Sequence, residues 1–519
     1  MTFLFCAVFL LCFTLSLILA DSFLAKPNRK HTRFYLIRRL NIGLLLLAIF
    51  SIGCKKTDIN QPTSNKPLPS ITTNAVSVVA QTSALASGVA SSDSTILDRG
   101  FCYSTAANPT IAGNKISCGK GSGSFSGGLK NLPGNATIYV RAYATDVNGT
   151  GYGNQQTFKT PAADSAITMY LNGDSTLFSI NAGSGALKWR VNVGGHITST
   201  PEYGNNTVFV CVNNNQICAF DTTAHLKWTA QIPVPAITDT LSSYQAKIKF
   251  YNNILFVAPA NQSTLFAVNA TTGAMLWTHA MTGRTNMFTL DFIFDGSSVY
   301  INCGYYIDGV DVETGQKKMT INSLGGNSGL GAILVLNNKL YSLVAESFLY
   351  AFDKNSGATL WYKSYGNDVW TGGGAQISYN GYALYCTFSD GIGTSVTEAV
   401  DTINGSKIFS ISNVYLASSV QILSDNILYF LPNGETVDAF SGLATGGDNG
   451  GLLTNNGGVI VNHKKYSANS DAYGIANYIY GSAYCFNYLT QLNQWTSTFH
   501  YNFIFANPCV VTQSGKVYR

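Results

Sequence analysis

The chain has 519 residues, 46% of them hydrophobic and 11% charged, with 50 Gly, 29 Tyr and 29 Phe. That is too long for one ordinary domain and too apolar for a disordered chain. Six of the 31 basic residues (Lys26, Arg29, Lys30, Arg33, Arg38, Arg39) and one of the 26 acidic residues (Asp21) precede Cys54, so the remainder carries 25 of each sign. A neutral body without a basic stripe argues against nucleic acid as a partner, because its recognition begins with phosphate neutralisation.

Residues 1–53 read as a leader. Residues 44–52 are a short apolar run behind Arg38 and Arg39, too short to span a bilayer and suited to the apolar part of an export signal. Residues 2–20 form a second apolar run with no basic residue before it. It is either a membrane helix or a stretch upstream of the true start. Ser51-Ile52-Gly53-Cys54 resembles the lipobox of bacterial lipoproteins, and the resemblance implies a lipidated Cys54 that becomes N-terminal after cleavage. Lys55 in place of Asp implies, by the same resemblance, the outer membrane. Residues 54–70 then serve as anchor and polar tether, with three prolines and no apolar period.

Eight cysteines follow the anchor, with no Cys-x-x-Cys among them, so neither a zinc ribbon nor a c-type haem is indicated. Cys102 and Cys118 share one predicted domain and are candidates for a bridge in an oxidising compartment. Cys211 and Cys218 flank Asn213-Asn214-Asn215. A hairpin centred there sets them roughly opposite one another, as a cross-strand disulfide or as two separate core thiols.

From residue 71 to 160 apolar and polar residues alternate between turn signals. In the run 137–144, Ile138, Val140, Ala142 and Ala144 share one face and Tyr139, Arg141 and Tyr143 the other, the period of a half-buried antiparallel strand with a solvated outer face. Arg99-Gly100-Phe101-Cys102-Tyr103, Tyr139-Val140-Arg141-Ala142-Tyr143-Ala144 and Gly149-Thr150-Gly151-Tyr152-Gly153 resemble the fibronectin type III-like modules of Bacteroidota surface lipoproteins. The resemblance implies a seven-stranded β-sandwich acting as a spacer.

Residues 165–519 are repetitive. Leu177-Phe178-Ser179-Ile180-Asn181 leads through Gly185 to Trp189, Leu265-Phe266-Ala267-Val268-Asn269 through Gly273 to Trp277, and Leu349-Tyr350-Ala351-Phe352-Asp353 through Gly357 to Trp361. Shorter or degenerate copies at 217–228, 310–319, 399–409, 437–440 and 483–495 bring the total to eight. In the full copies a strand ends at Asp or Asn, a Gly takes a left-handed position, and the returning strand ends in Trp. Five of the six tryptophans occupy that place and are expected to pack between neighbouring sheets. The spacing is that of a four-stranded blade, and residues 515–519 match the inner part of a repeat completed by 167–189. The fold class expected is all-β, a sandwich followed by an eight-bladed β-propeller, with seven blades as the alternative. The units resemble the quinoprotein (PQQ-like) repeat, which builds both quinone-dependent dehydrogenases and non-enzymatic outer-membrane lipoproteins.

The dehydrogenase chemistry needs a calcium site and, in that family, adjacent cysteines on the cofactor. The chain has no Cys-Cys pair, no calcium loop of EF-hand spacing and only scattered histidines. No catalytic residue, metal or cofactor is therefore expected. The reading is a non-catalytic, membrane-anchored binding or scaffolding lipoprotein with a protein partner, or alternatively a surface polysaccharide. Asp368 and Trp370 are the candidate ligand contacts: Trp370 alone of the tryptophans lies outside the repeat position, beside Gly372-Gly373-Gly374. An aromatic there either stacks on a ligand or fills a gap between sheets.

Overall fold

The computed structural model describes residues 67–236, 245–283, 291–303, 306–322, 332–344, 348–365, 376–389, 395–413, 420–431, 435–446, 459–471, 480–487, 492–499, 508–514 and 516–518. Among these, every regular element is a β-strand. The leader and Cys54 lie outside the described residues.

Strands Ser70–Thr73, Ala84–Ser91 and Gly123–Leu129 form one sheet. Asn114–Ser117, Asp98–Ser104 and Thr137–Asp146 form a second, continued by Gly149–Tyr152 and Gln156–Lys159, which both pair with Thr137–Asp146. The two sheets share one core, with Ala86, Phe125 and Leu129 from the first against Phe101, Val140 and Ala142 from the second. The alternation in Thr137–Asp146 is as the sequence dictates, except that Tyr143, on the supposedly solvated face, is fully buried. Its hydroxyl donates to Asp98 Oδ2 at 2.9 Å, and the Lys115 ammonium lies 5.9 Å from its ring centre.

The next sheets belong to a β-propeller. Among the described residues, seven four-stranded sheets span 202–231, 247–280, 291–322, 332–364, 376–413, 420–446 and 459–499. One five-stranded sheet joins Leu187–Asn192, Thr176–Asn181 and Ala166–Asn172 to Cys509–Thr512 and Val517–Tyr518. Cys509 pairs with Tyr170 and Val510 with Met169, so strands from both ends of the region complete one sheet and Ala166–Asn172 is paired on both sides. Apolar clusters tie neighbouring sheets together, for example Phe209 and Cys211 against Leu255 and Val257 and Ile180 and Val510 against Tyr466 and Ala483.

The joint between sheets follows one chemical rule. The Trp189 indole N–H donates to the Thr222 carbonyl at 2.7 Å, Trp228 to Ala270 at 3.2 Å, Trp277 to Val312 at 3.0 Å and Trp495 to Ala182 at 3.0 Å. Each acceptor lies one residue past the turn Asp or Asn of the following sheet. Where Met319 or Phe409 replaces the tryptophan, a tyrosine from the second strand takes over: Tyr300 donates to Lys354 O at 3.1 Å and Tyr385 to Ala439 O at 2.5 Å. At Trp361 the equivalent carbonyl, Thr402, already accepts from Lys339 and Tyr341, which leaves the Trp361 N–H without a partner. The glycine of the repeat completes the joint. Gly315 sits at φ +72°, and a Cβ there would come within 2.5 Å of the Trp277 ring. Only glycine meets both demands without strain. In the shortened copy, Ala224 holds the left-handed conformation instead, at φ 72°, where an L residue with a Cβ pays about 1–2 kcal/mol.

Neither candidate cysteine pair is bridged, and all eight described cysteines are free. Cys211 pairs across the hairpin with Ile217, and Cys218 with Val210. The two thiols thus point to opposite faces, Cys211 into the contact with the sheet 247–280 and Cys218 into the contact with the closing sheet. Cys118 packs beside Phe101 and Ile116 in the first core. Cys102, the neighbour of Phe101, points away and donates to Pro109 O at 3.2 Å.

Two substitutions test the joint. Trp277→Ala should lower stability by about 3–5 kcal/mol, read as the shift in urea midpoint. Ala224→Gly should raise it by about 0.5–1 kcal/mol, since relief of strain exceeds the added unfolded-state entropy.

Candidate functional site: the two faces of the propeller

In each four-stranded sheet the turns from inner to second strand and from third to outer strand lie on one face, the turn face. The second-to-third connections and the links to the next sheet root on the other. The N-terminal module is fastened to the turn face. Thr82 donates its backbone N–H to Asp425 Oδ1 at 3.1 Å and its hydroxyl to Asp425 Oδ2, and Ser83 Oγ donates to the Asp425 carbonyl at 3.0 Å. The Asn426 amide donates to Val78 O and Ser83 Oγ at 3.2 and 2.9 Å. Lys130 pairs with Asp438 at 3.1 Å. Val78 holds a left-handed backbone at φ 50° with its side chain against Gly381, a strain that a β-branched residue bears only when its surroundings fix it. The contacts lie on the sheets 376–413 and 420–446.

The acid at the centre of this fastening reaches into the propeller. His463, in the turn of the next sheet and 2% exposed, places Nε2 3.0 Å from Asp425 Oδ2 and Nδ1 2.7 Å from the Tyr429 hydroxyl. Burial raises the Asp425 pKa, but hydrogen bonds from His463 and Thr82 outweigh it and hold the carboxyl below its ordinary range. A groove of about 230 Å³ runs beside the fastening, lined by Val78, Val79, Tyr379 and Leu423 with Asn380 and Asn426. The two Asn side chains hydrogen-bond each other at 3.1 Å.

The opposite face, where the longer connections root, holds two polar pairs built on acids, His279 with Asp308 and the half-buried Lys363 with Glu398. Asp308, fully buried, accepts from the Thr282 N–H at 2.8 Å and His279 Nε2 at 3.2 Å through Oδ2, and from the Thr282 and Thr320 hydroxyls at 2.8 and 2.7 Å through Oδ1. Burial opposes its charge, yet these donors hold the carboxyl well below the usual carboxylate range. Lys363 Nζ lies 2.9 Å from Glu398 Oε2 and 5.4 Å from the centre of the Tyr365 ring. Tyr365 packs on Phe388 with ring centres 4.5 Å apart, and burial pushes its hydroxyl far above the ordinary tyrosine range.

Of the residues singled out in the sequence, Asp368 and Trp370 lie outside the described residues, in the segment 366–375 that follows Tyr365. Sequence reasoning missed Asp308, Glu398 and Asp425. Aligning the repeats shows the first two as acids where other copies carry Phe178, Cys218, Phe266, Tyr350 and Tyr484, with one further acid, Glu435, at the same place; nothing local marks Asp425, whose partner Thr82 is 343 residues away. Among the described residues no group of three or more His, Cys, Asp or Glu side chains is placed to hold a metal ion.

The pH dependence follows from the acids. Asp308 and Asp425 have folded pKa values below the unfolded value of about 3.9. The stability they contribute is fully present above that value and is lost as pH falls through the folded values. Asp308→Asn should cost about 1–3 kcal/mol at pH 7. Its urea midpoint should then fall less between pH 7 and pH 3 than that of the wild type.

Part of the chain is similar in sequence to tetrathionate hydrolase of Acidithiobacillus ferrooxidans, 26% identical over 206 residues. That alignment covers 34% of this chain and 40% of that protein, so the chain spans well under half of the relative it matches. BamB from Moraxella catarrhalis aligns in structure at 16% identity over 56% of this chain and 87% of its own, with a TM-score of 0.40. A quinohemoprotein alcohol dehydrogenase from Pseudomonas putida HK5 aligns at 13% identity over 62% of this chain and 68% of its own, with a TM-score of 0.43. Residues 147–363, which include the first four of the seven four-stranded sheets almost to their end, match the family model described as outer membrane protein assembly factor BamB.

Proposed function

We propose that this chain is a non-catalytic lipoprotein, anchored through Cys54 to the outer membrane, whose propeller is a binding platform for protein partners at the cell envelope. In this reading residues 71–160 are a fibronectin type III-like sandwich and 165–519 an eight-bladed propeller of the PQQ-like class. The observation that carries it is the asymmetry of the propeller: the N-terminal module is fastened to the turn face through Asp425 and Asn426, and the opposite face holds the roots of the longer connections. Loops on rigid strands are where binding residues concentrate. Asp368 and Trp370 fall on one of those connections and are the proposed ligand contacts. The match of residues 147–363 to the assembly-factor model supports a protein partner over a small substrate.

A surface polysaccharide is the second reading. It is favoured by Tyr362, 63% exposed on the outer strand that leads to 366–375, since an exposed ring stacks on sugars. Quinone-dependent oxidation stands last, because the sequence has no adjacent cysteines.

Cys54→Ala should move the protein from the membrane to the soluble fraction; retention in the membrane would count against lipidation. A photocrosslinker at Asn192 or Gln231, on the loop-bearing face, should give discrete adducts in cells. The same group at Ile403, on the turn face, should give none. Adducts from Ile403 alone would reverse the assignment of faces. Titration with pyrroloquinoline quinone and calcium should leave the cofactor's absorbance unchanged.

A further inference from the structure

The N-terminal module has two ends. At one, Thr82, Ser83 and Lys130 meet the propeller. The other gathers the start of Ser70–Thr73, whose Ser70 pairs with Ser91, and the hairpin between Thr137–Asp146 and Gly149–Tyr152. The segments 92–97 and 118–123 join them there, the Gly121 N–H donating to the Ile96 carbonyl at 3.2 Å. Between residues 67 and 160 the large apolar side chains left exposed are Leu68, Val89, Leu97 and Val147. Three stand at this far end, and Val89 lies two residues short of it in Ala84–Ser91. Single exposed apolar side chains scattered over a surface are ordinary; these are gathered at one tip.

The tip is built as one piece. Leu68 lies against Gly149, where an added Cβ would come within 2.9 Å of its Cδ2, and the Leu97 N–H donates to the Thr145 carbonyl of the same hairpin at 2.8 Å. Asp146 accepts from Ser92 Oγ at 2.6 Å and from the backbone N–H groups of Asn148 and Gly149 at 2.7 and 3.2 Å. Asn148 Nδ2 donates to Ser94 Oγ at 3.1 Å. These bonds tie the loops 92–95 and 146–149 together and leave Val147 standing out of them, 77% exposed. It occupies a tight turn, where Gly, Asn, Asp and Ser are the favoured residues, so local structure does not call for a β-branched side chain there. An apolar tip whose polar groups bond one another is what a bilayer surface admits, since a backbone group that enters lipid loses water as a partner. The charges around it, Asp93, Asp98 and Asp146 against Arg99 and Lys120, nearly cancel. The described residues begin at this same end, and twelve residues, 55–66, separate Cys54 from residue 67, a reach of at most about 45 Å when fully extended.

We propose that this end of the module is a membrane-seating tip: Leu68, Leu97 and Val147 enter the lipid surface beside the anchor and stand the module, with the propeller fastened to its other end, on the membrane. The inference rests on the membrane-anchored reading of the chain. The partner is the lipid bilayer itself, met by apolar side chains and not through headgroup charge.

The experiment places a diazirine amino acid at Val147 in the full chain and, as a control at the opposite end of the same module, at the exposed Ala106. The membrane-bound protein is transferred to vesicles of phosphatidylcholine, with or without added phosphatidylglycerol, irradiated, and read for lipid adducts by mass. Position 147 should give about tenfold more lipid adduct than position 106, equally in both vesicles and at low and high salt. Leu68→Asp with Leu97→Asp should lower the yield at 147 by about tenfold and keep the thermal midpoint. Should that double variant lose its fold, Leu97→Asp alone, away from the Gly149 contact, should still lower the yield. Equal yields at 147 and 106 would overturn the proposal, as would a yield at 147 that the Asp variants leave unchanged or that appears only with the anionic lipid. Cys54→Ala separates the two readings. If that variant stays in the membrane fraction and position 147 still gives adducts, lipidation falls and the tip stands. If it leaves the membrane while the unaltered chain gives no adducts from 147, the anchor stands and the tip falls.

Discussion

A four-stranded sheet cannot cover its own faces, and in this propeller the neighbour that covers them is held by a recurring polar contact at the edge of a large apolar one. An aromatic on the outer strand caps the carbonyl one residue past the turn Asp or Asn of the following sheet, through an indole N–H at Trp189, Trp228, Trp277 and Trp495, and Trp228, Trp277 and Trp495 also lie over the repeat glycine there. At the buried Ala182, Ala270 and Val312 the carbonyl would otherwise lack a donor, and an unpaired buried backbone group costs about as much as a lost hydrogen bond. That explains why Tyr300 and Tyr385 appear where the tryptophan is missing: the donor is required, whichever residue supplies it. The same contact sets the spacing between sheets, and with it the place of everything mounted on either face.

That joint was legible in the sequence because all its parts recur within one short repeat. Turn acid, glycine and tryptophan stand at fixed offsets, and the period of eight copies gives the succession of sheets. Other features were harder to read for physical reasons. The pairing of Cys211 with Cys218 fails by one residue: the turn Asn213-Asn214-Asn215 centres on Asn214, so Cys211 faces Ile217. A slip of one residue sends a side chain to the other face of a strand. The fastening of the N-terminal module was invisible, since Thr82 and Asp425 belong to no common pattern. Asp308 and Glu398 were visible only as exceptions, and an exception is read only after the rule has been established from the other copies.

The fastening changes what the N-terminal module is. As a spacer it would only add length between membrane and propeller. Held by Thr82, Ser83 and Lys130 on the turns of the sheet 420–446, it is also fixed in orientation relative to the propeller. His463 extends that hold inward by bonding both Asp425 and Tyr429, so the module's footing is continuous with the packing between the sheets 420–446 and 459–499.

The pairing of Cys509–Thr512 with Ala166–Asn172 has a consequence for biogenesis. While the intervening three hundred or so residues are being delivered, Ala166–Asn172 presents an unpaired and largely buried-type edge, Met169, Tyr170 and Leu171 among it. An edge of this kind invites pairing with any other extended chain. Delivered across a membrane from its N-terminus, the protein would hold this edge open until its last strands arrived. The repeats can zip up locally as they emerge, but the ring closes last, and a truncation before residue 509 would leave the seven four-stranded sheets intact, the closing sheet with three of its five strands, and the molecule prone to associate with itself.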